Sequence, residues 1–500
     1  MSLINVRRFS YTYPGAERPA LEAIDLSIEM GSFVVITGPS GCGKSTLGKA
    51  LAGFLFQDQE PVYTGDVVVN GTNMTEVPLY AASERVAYVQ QNPEDQFCTL
   101  TVQDEIAFGL ENRKVPANQI NLQIAEMLTV VDGIELIDRD LATLSGGEKQ
   151  KVAIAAMLAL SPDVLILDEP TSNLDPEATR TIFHTLNQLL DLRRITLIVI
   201  EHKLQQLKPF RPKLIVLQDG LKVAYDSIDA FEADSCQKAR SVNPLTFSTP
   251  ESSRESVLTL NKLIWQQSGQ PILKGIDLDL YPGEFVSLMG PNGSGKTSLL
   301  LAMMGLIQPT SGDLTIFDRD LKETRTSDLV PDIGFIFQNP DHQLFAASIW
   351  DEATLTLKTL KRLTAEKEAE ALAWLAQLGL SDDLKRHPQR LSYGEKRRLN
   401  LAAIILHNPR LLLIDEMLIG QDLVNAHIWM SLLADYANAG NTVLLVNHHP
   451  DLTMTYCDRV LFMHAGKIIV DRPTLAALEQ IQSLGYDAFL PSKKSERPHA

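Results

Sequence analysis

Phe33-Val-Val-Ile-Thr-Gly38-Pro39-Ser40-Gly41-Cys42-Gly43-Lys44-Ser45-Thr46 reads as a short apolar strand that breaks into a glycine-rich loop and ends on a lysine and two hydroxyl residues. The pattern returns as Phe285-Val-Ser-Leu-Met-Gly290-Pro291-Asn292-Gly293-Ser294-Gly295-Lys296-Thr297-Ser298, 252 positions later. Glycines at these spacings let the backbone turn several N–H groups toward one point at the start of a helix, where the partial positive charge favours an anion. The lysine would reach the outer phosphates of a nucleotide, and the hydroxyl of Ser45 or Thr297 would ligate Mg2+. A strand before the loop and a helix-forming segment after it are the context a phosphate loop requires, and a chance glycine-rich turn would not carry that context twice.

The rest of the chain repeats as well. Gln91-Asn-Pro-Glu-Asp-Gln96 recurs as Gln338-Asn-Pro-Asp-His-Gln343, Leu144-Ser-Gly-Gly-Glu148 as Leu391-Ser-Tyr-Gly-Glu395, and Asp168-Glu169 as Asp415-Glu416, each 247 positions apart. The five-position change falls between Gly53 and Gly65 in the first copy and between Gly305 and Gly312 in the second, which predicts a longer loop in the first. Two domains are therefore expected, 1–234 and 257–500, joined by a Ser/Thr/Pro-rich linker over 235–256 without hydrophobic periodicity. Val164-Leu-Ile-Leu, Thr196-Leu-Ile-Val-Ile and Leu411-Leu-Leu-Ile are too short for helices, and their unbroken hydrophobicity suits parallel strands buried on both faces. With helical patterns between them, such as Glu366 to Leu380, they predict an α/β fold with mostly parallel sheets.

Composition narrows the function. A chain of 500 residues that is 45% hydrophobic can bury two ordinary cores, and a net charge of −17 opposes broad binding to nucleic acid. Cys42, Cys98, Cys236 and Cys457 form no Cys-x-x-Cys pair, so neither a zinc site nor a disulfide framework is expected and a reducing cytosol fits. No run approaches the apolar length a membrane span needs, and the N-terminal segment has no apolar signal core.

Asp168 and Asp415 end apolar strands, which places each carboxylate at a strand end facing a phosphate loop and suits the Mg2+ site. The adjoining Glu169 and Glu416 are placed to orient or deprotonate an attacking water.

Taken with Leu144-Ser145-Gly146-Gly147-Glu148, these motifs resemble the ABC ATPases. The resemblance implies two tandem P-loop NTPase domains, each with a helical signature subdomain, that pair head to tail within the chain so that each ATP is completed by the other half's signature. It assigns Gln91 and Gln338 to sensing Mg2+ and the γ-phosphate, His202 and His448 to contacting the γ-phosphate, and Tyr13 and Trp265 to stacking on adenine. Ser145 and Gly147 would complete the site on the second phosphate loop, and Ser392 and Gly394 the site on the first. In the second signature Tyr393 replaces the first glycine, and Leu418-Ile-Gly-Gln-Asp422 stands where the first half has Thr171-Ser-Asn-Leu-Asp175, so the resemblance implies unequal sites with more hydrolysis at the second phosphate loop.

The paired Gln-Asn-Pro-x-x-Gln segments, with Asp104-Glu105 and Asp351-Glu352 downstream, are similar to those of energy-coupling factor importers. That implies a peripheral subunit at the cytoplasmic face, bound to a transmembrane scaffold and a substrate-binding membrane subunit, importing a vitamin such as a thiamine precursor or a metal ion, with Phe97 and Phe345 as apolar anchors for the membrane partner. Tandem sugar-importer ATPases and ribosome-associated ABC-F ATPases remain the alternatives; the latter usually need a long charged helical linker that the 235–256 junction lacks. Cys42, in a loop of N–H donors at a helix start, is expected to gain thiolate character and to be protected by MgATP.

Overall fold

The computed structural model describes residues 2–16, 18–57, 62–171, 174–193, 195–202, 204–225, 227–240, 255–418 and 421–491. In the first half, Val164–Asp168 and Thr196–Ile200 are buried along their whole length. Their side chains alternate between two cores: Ile166 and Ile198 join the one beneath the phosphate-loop helix, while Leu165, Leu167, Leu197 and Val199 join a helical core on the opposite face. Covering both faces is what makes these strands continuously apolar, and each fully buried aliphatic side chain contributes about 1.5–3 kcal/mol.

The resulting six-stranded sheet runs Leu221–Val223, Lys213–Gln218, Phe33–Thr37, Thr196–Ile200, Val164–Asp168, Val86–Val89. Every neighbouring pair is parallel except the first. The second half repeats it as Ile333–Ile336, Leu411–Ile414, Thr442–Val446, Phe285–Met289, Arg459–His464, Lys467–Pro473, antiparallel only in the last pair. Each half also carries a four-stranded antiparallel sheet that the strand patterns did not announce. Its order is Leu21–Glu29, Ser2–Thr12, Val62–Val69, Thr72–Asn73 in the first half and Gln270–Leu280, Leu258–Gln267, Ser311–Ile316, Arg319–Asp320 in the second.

A helical subdomain accompanies each sheet pair. Val102–Asn112, Ala117–Val130 and Gly146–Ala159 share the apolar core that also covers one face of the first large sheet. Ile349–Thr359, Ala365–Gln377 and Tyr393–Ile405 do the same in the second half. The helix expected to reach Leu380 stops at Gln377, followed by Gly379 at φ 66°, where the chain turns in a left-handed conformation that suits glycine. The architecture is two tandem P-loop NTPase domains, each with a mostly parallel core and a helical subdomain.

The chain divides into two compact units, one of Met1–Lys238 with Gly420–Val424, the other of Ala239–Ile419 with Asn425–Ala500. Helix Ile228–Arg240 continues past residue 234 into the stretch expected as linker. Residues 241–254 of that linker, 58–61 of the longer first-half loop, 172–173 of the Thr171–Asp175 segment and 419–420 of the Leu418–Asp422 segment lie outside the described residues.

Candidate functional site

Each phosphate loop links a central parallel strand to a helix, Phe33–Thr37 to Lys44–Leu51 and Phe285–Met289 to Lys296–Met303. Gly38 has φ 143° and a Cβ there would lie 2.0 Å from the Leu217 carbonyl oxygen; at Gly290, φ 141°, it would lie 2.0 Å from that of Met463. These glycines are therefore required by close backbone approach as well as by conformation. Lys44 Nζ donates to the carbonyls of Gly38 and Pro39 at 3.0 and 2.8 Å, and Lys296 Nζ to those of Gly290 and Pro291 at 2.8 and 2.9 Å. Both ammonium groups thus sit at the rim of their loops, where phosphate oxygens can replace carbonyl oxygens as acceptors.

The carboxylates converge on the same place. Ser45 Oγ donates to Asp168 Oδ1 at 3.1 Å, so the first hydroxyl after the loop lysine and the strand-end aspartate form one oxygen cluster. Tyr88, on the neighbouring strand, donates its hydroxyl to Asp168 Oδ2 at 2.5 Å. The second half has Phe335 at the matching place, and Asp415 Oδ1 is buried with no hydrogen-bond partner among the described residues. Burial and the neighbouring Glu416 charge push Asp415 up to about 6, with the Thr297 hydroxyl and Lys296 opposing. Asp168 is also raised, chiefly by burial, while the Tyr88 and Ser45 hydrogen bonds pull it down. A hydroxyl beside a carboxylate is a hard-oxygen donor set that fits Mg2+, which keeps most of its ligands as water and phosphate oxygen.

Glu169 and Glu416 follow with φ of 46° and 51°, a left-handed backbone that costs of the order of 1 kcal/mol and is held by the surrounding strands. Gln91 Nε2 donates to Glu169 Oε2 at 2.7 Å, and His202 Nε2 lies 3.1 Å from Glu169 Oε1. The second half repeats this, with Gln338 Nε2 2.7 Å from Glu416 Oε2 and His448 Nε2 2.9 Å from Glu416 Oε1. Burial raises the Glu416 carboxyl, but its bond with His448 and the charges of Lys296 and Arg397 more than offset this and hold it below the usual range. An ionised carboxylate between an amide and an imidazole can accept a proton from water while its neighbours fix its orientation.

The signature residues have a local role that the motif alone did not disclose. Ser145 and Ser392 are N-caps of the helices Gly146–Ala159 and Tyr393–Ile405, each closing a capping box with Glu148 or Glu395. The Ser-x-x-Glu spacing carries that signal in sequence. Gly147 lies in the first of these helices, and Gly394 in the second. Of the aromatics, Tyr13 is 40% exposed and its hydroxyl lies 3.2 Å from Thr46 Oγ1, beside the phosphate loop. Trp265 is half-buried and packs against the second half's core.

Two expectations need correction. Cys42 is 4% exposed, and burial pushes its thiol up despite the opposing Lys44 charge, so desolvation outweighs the helix start and the thiol stays protonated and sheltered. Phe97 is half-buried against the first core, and its repeat partner is the buried Leu344, whereas Phe345 is 77% exposed and pairs in register with Cys98.

Sequence reasoning also missed what shapes the loop before Phe345. Glu352 Oε2 accepts from the backbone N–H of Phe345 and Ala346 at 2.8 and 2.7 Å, and Glu105 Oε2 accepts from those of Cys98 and Thr99 at 3.0 Å. Gln96 and Gln343 brace the same loops, each accepting 3.0 Å from a backbone N–H, of Gln90 and Phe337 respectively. Leu100 on the first loop and Phe345 on the second are exposed, as are Phe108 and Leu355 on the helices Val102–Asn112 and Ile349–Thr359 that follow. Among the described residues, no helix is long and apolar enough to cross a membrane.

A family model described as ABC transporter matches residues 21–172 and 273–418. A Bacillus subtilis protein named for HMP/thiamine import, the ATP-binding protein YkoD, is 34% identical over 94% of this chain and 91% of its own length. An ABC transporter ATP-binding protein of Methanosarcina mazei is 32% identical over 98% of this chain and 93% of its own. Among solved structures, cbiO1 from Clostridium perfringens, described as part of the ABC transporter complex cbiONQ, is 27% identical, with a TM-score of 0.40 over 46% of this chain and 95% of that one.

Proposed function

The chain belongs to the ABC transporter family and is an ATP-binding ATPase subunit, and on that premise we propose that it energises an energy-coupling factor importer for a vitamin, with a thiamine precursor as the first candidate cargo. The observation that carries the coupling reading is the pair of braced loops. In each half the second glutamine of the Gln-Asn-Pro-x-x-Gln motif and the glutamate of the Asp-Glu motif brace one loop, and apolar side chains are exposed on that loop and on the helix after it: Leu100 and Phe108 in the first half, Phe345 and Leu355 in the second. Exposed apolar groups on a braced loop and on the helix that follows it suit a membrane partner's helix. The cargo reading is supported by the name of the Bacillus relative.

In this reading, the loop N–H groups with Lys44 or Lys296 hold the β- and γ-phosphates of ATP. Ser45, Gln91 and Asp168, or Thr297, Gln338 and Asp415, would hold Mg2+, whose charge would offset that of the phosphates. Glu169 or Glu416 orients the attacking water and takes its proton, and His202 or His448 contacts the γ-phosphate. Tyr13 and Trp265 stack on adenine, and the signature residues Ser145, Gly147, Ser392 and Gly394 complete the sites. The domain limits proposed are 1–234 and 257–500, and the subunit is peripheral at the cytoplasmic face, bound to a transmembrane scaffold and a substrate-binding membrane subunit.

The test is affinity purification of the tagged chain from detergent-solubilised membranes, with and without Phe345→Asp, alongside ATP-dependent uptake of a labelled thiamine precursor. The expected result is an integral membrane scaffold that is recovered with the wild type and depleted with the variant, while ATPase activity of the isolated chain is retained. Recovery of ribosomes and no membrane protein would overturn the importer reading, and loss of the scaffold without any effect on uptake would overturn the cargo.

A further inference from the structure

The two halves hold their glutamine loops in different ways. In the second half, four residues on one face of helix Tyr393–Ile405 bond to the segment that begins with Gln338. Tyr393 OH donates to the Gln338 carbonyl at 3.3 Å, Lys396 Nζ pairs with Asp341 Oδ1 at 2.6 Å, Arg397 Nη2 donates to the Gln338 carbonyl at 2.8 Å, and Asn400 Nδ2 donates to the Pro340 carbonyl at 3.1 Å. Positions 393, 396, 397 and 400 follow the spacing of one helical face. Arg397 goes further. Its Nη1 donates to the carbonyl of Glu416 at 2.6 Å, its Nη2 also donates to Tyr393 OH at 2.9 Å, and its guanidinium lies 4.8 Å from the centre of the Tyr393 ring. The side chain is 2% exposed.

The first half has Gly146, Lys149, Gln150 and Ala153 at these places. Lys149 still pairs with Glu94, so the outer strap is common to both halves. Gly146 and Ala153 have no side chain able to bond, and Gln150 is 2% exposed with its Nε2 unpartnered among the described residues. Among the described residues, the arginine at 397 joins the main chain at Gln338 and Glu416, and the first half has the neutral Gln150 at the matching place. Two bonds from one planar guanidinium fix the distance between their carbonyls, which a neutral amide at the same place does not do in the first half.

We propose that Arg397, stacked on Tyr393, is a positioning residue for hydrolysis at the second phosphate loop, locking Gln338 and Glu416 to the signature helix as one unit. The proposal rests on the reading of Glu416 as the residue that acts on water. It gives the tyrosine in the second signature a function within its own half: its ring and hydroxyl seat the arginine.

The test is steady-state ATP hydrolysis by the full chain in a Glu169→Gln background, which isolates the second loop's turnover, with the bound-nucleotide fraction measured in parallel. Arg397→Gln installs the residue that the first half folds with. Losing charge-assisted bonds to the backbone on both sides of the water-activating pair is expected to lower kcat about tenfold or more while KM for ATP moves less than about twofold. Arg397→Lys, which keeps the charge and can reach one carbonyl, should recover part of the loss, and Tyr393→Phe, which keeps the ring, should lose only about two- to threefold. Unchanged kcat per bound nucleotide in Arg397→Gln would overturn the proposal, as would a loss of turnover fully explained by a smaller bound fraction. Glu416→Gln in the same background separates the premise: if turnover survives that change, the reading of Glu416 fails and the inference fails with it.

Discussion

Asp415→Asn should make the ligand-free protein more stable at neutral pH than the wild type. Asp415 is 2% exposed, its Oδ1 lacks a partner among the described residues, and burial with the adjacent Glu416 raises its pKa from 3.8 to about 6. Because the folded pKa lies above the unfolded one, the native state holds the extra proton between about pH 4 and pH 6, and stability falls as pH rises through that window. Above it the whole penalty is present, on the order of 3 kcal/mol at 1.36 kcal/mol per pH unit. Asparagine keeps the shape and does not ionise, so its advantage should be largest at pH 7.5 and should shrink by about 1 kcal/mol at pH 5, a shift in relative Tm of roughly 2–4 °C for a domain of this size. All four tryptophans, Trp265, Trp350, Trp374 and Trp429, lie in the second half, so tryptophan fluorescence during nucleotide- and Mg2+-free unfolding reports that half selectively. A variant no more stable than wild type at pH 7.5, or one whose advantage is the same at both pH values, would refute the reasoning.

Tyr88→Phe removes the hydroxyl bond to the buried Asp168 carboxylate and should cost the ligand-free first half about 1.5–3 kcal/mol, read by hydrogen exchange over residues 164–168; unchanged protection there would contradict it. Gly290→Ala puts a Cβ 2.0 Å from the Met463 carbonyl oxygen and should lower bound ATP analogue from two per chain to one, so retention of both would show that the loop can give way. In the native ligand-free protein Cys98, which is exposed, should react with a thiol reagent far faster than the buried Cys42, and equal rates would mean that the loop opens readily.

The phosphate loops, the strand-end carboxylates and the parallel strands were legible because each depends on a local pattern: glycines ahead of a lysine, or an apolar run that ends on an acid. The antiparallel sheets were harder. Ser2–Thr12 interleaves polar and apolar residues irregularly and its pairing with Val62–Val69 shifts register between Arg7 and Ser10, so no clean alternation survives. Tyr88 and Arg397 were hidden for another reason: a tyrosine in a buried strand and an arginine in a helix look ordinary until tertiary packing brings them against Asp168 and Glu416. The exposed anchor was misread at Phe97 because the aromatic ring alone gives no register; its counterpart Leu344 is buried, and the repeat offset would have shown the mismatch. Cys42 was misjudged because helix-start electrostatics can be read from sequence and desolvation cannot.

ATP hydrolysis is expected to depend on Glu169 and Glu416, with the second phosphate loop carrying more of the turnover. The direct measurement is MgATP turnover by Glu169→Gln, Glu416→Gln and the double variant in the assembled membrane complex, with binding of an ATP analogue measured on each. The expected result is nucleotide binding in all three, a fall of about 100-fold or more in the double variant, and a larger loss for Glu416→Gln than for Glu169→Gln. Wild-type turnover in the double variant would contradict a role for either glutamate, and a larger loss for Glu169→Gln would reverse the assignment of the two sites.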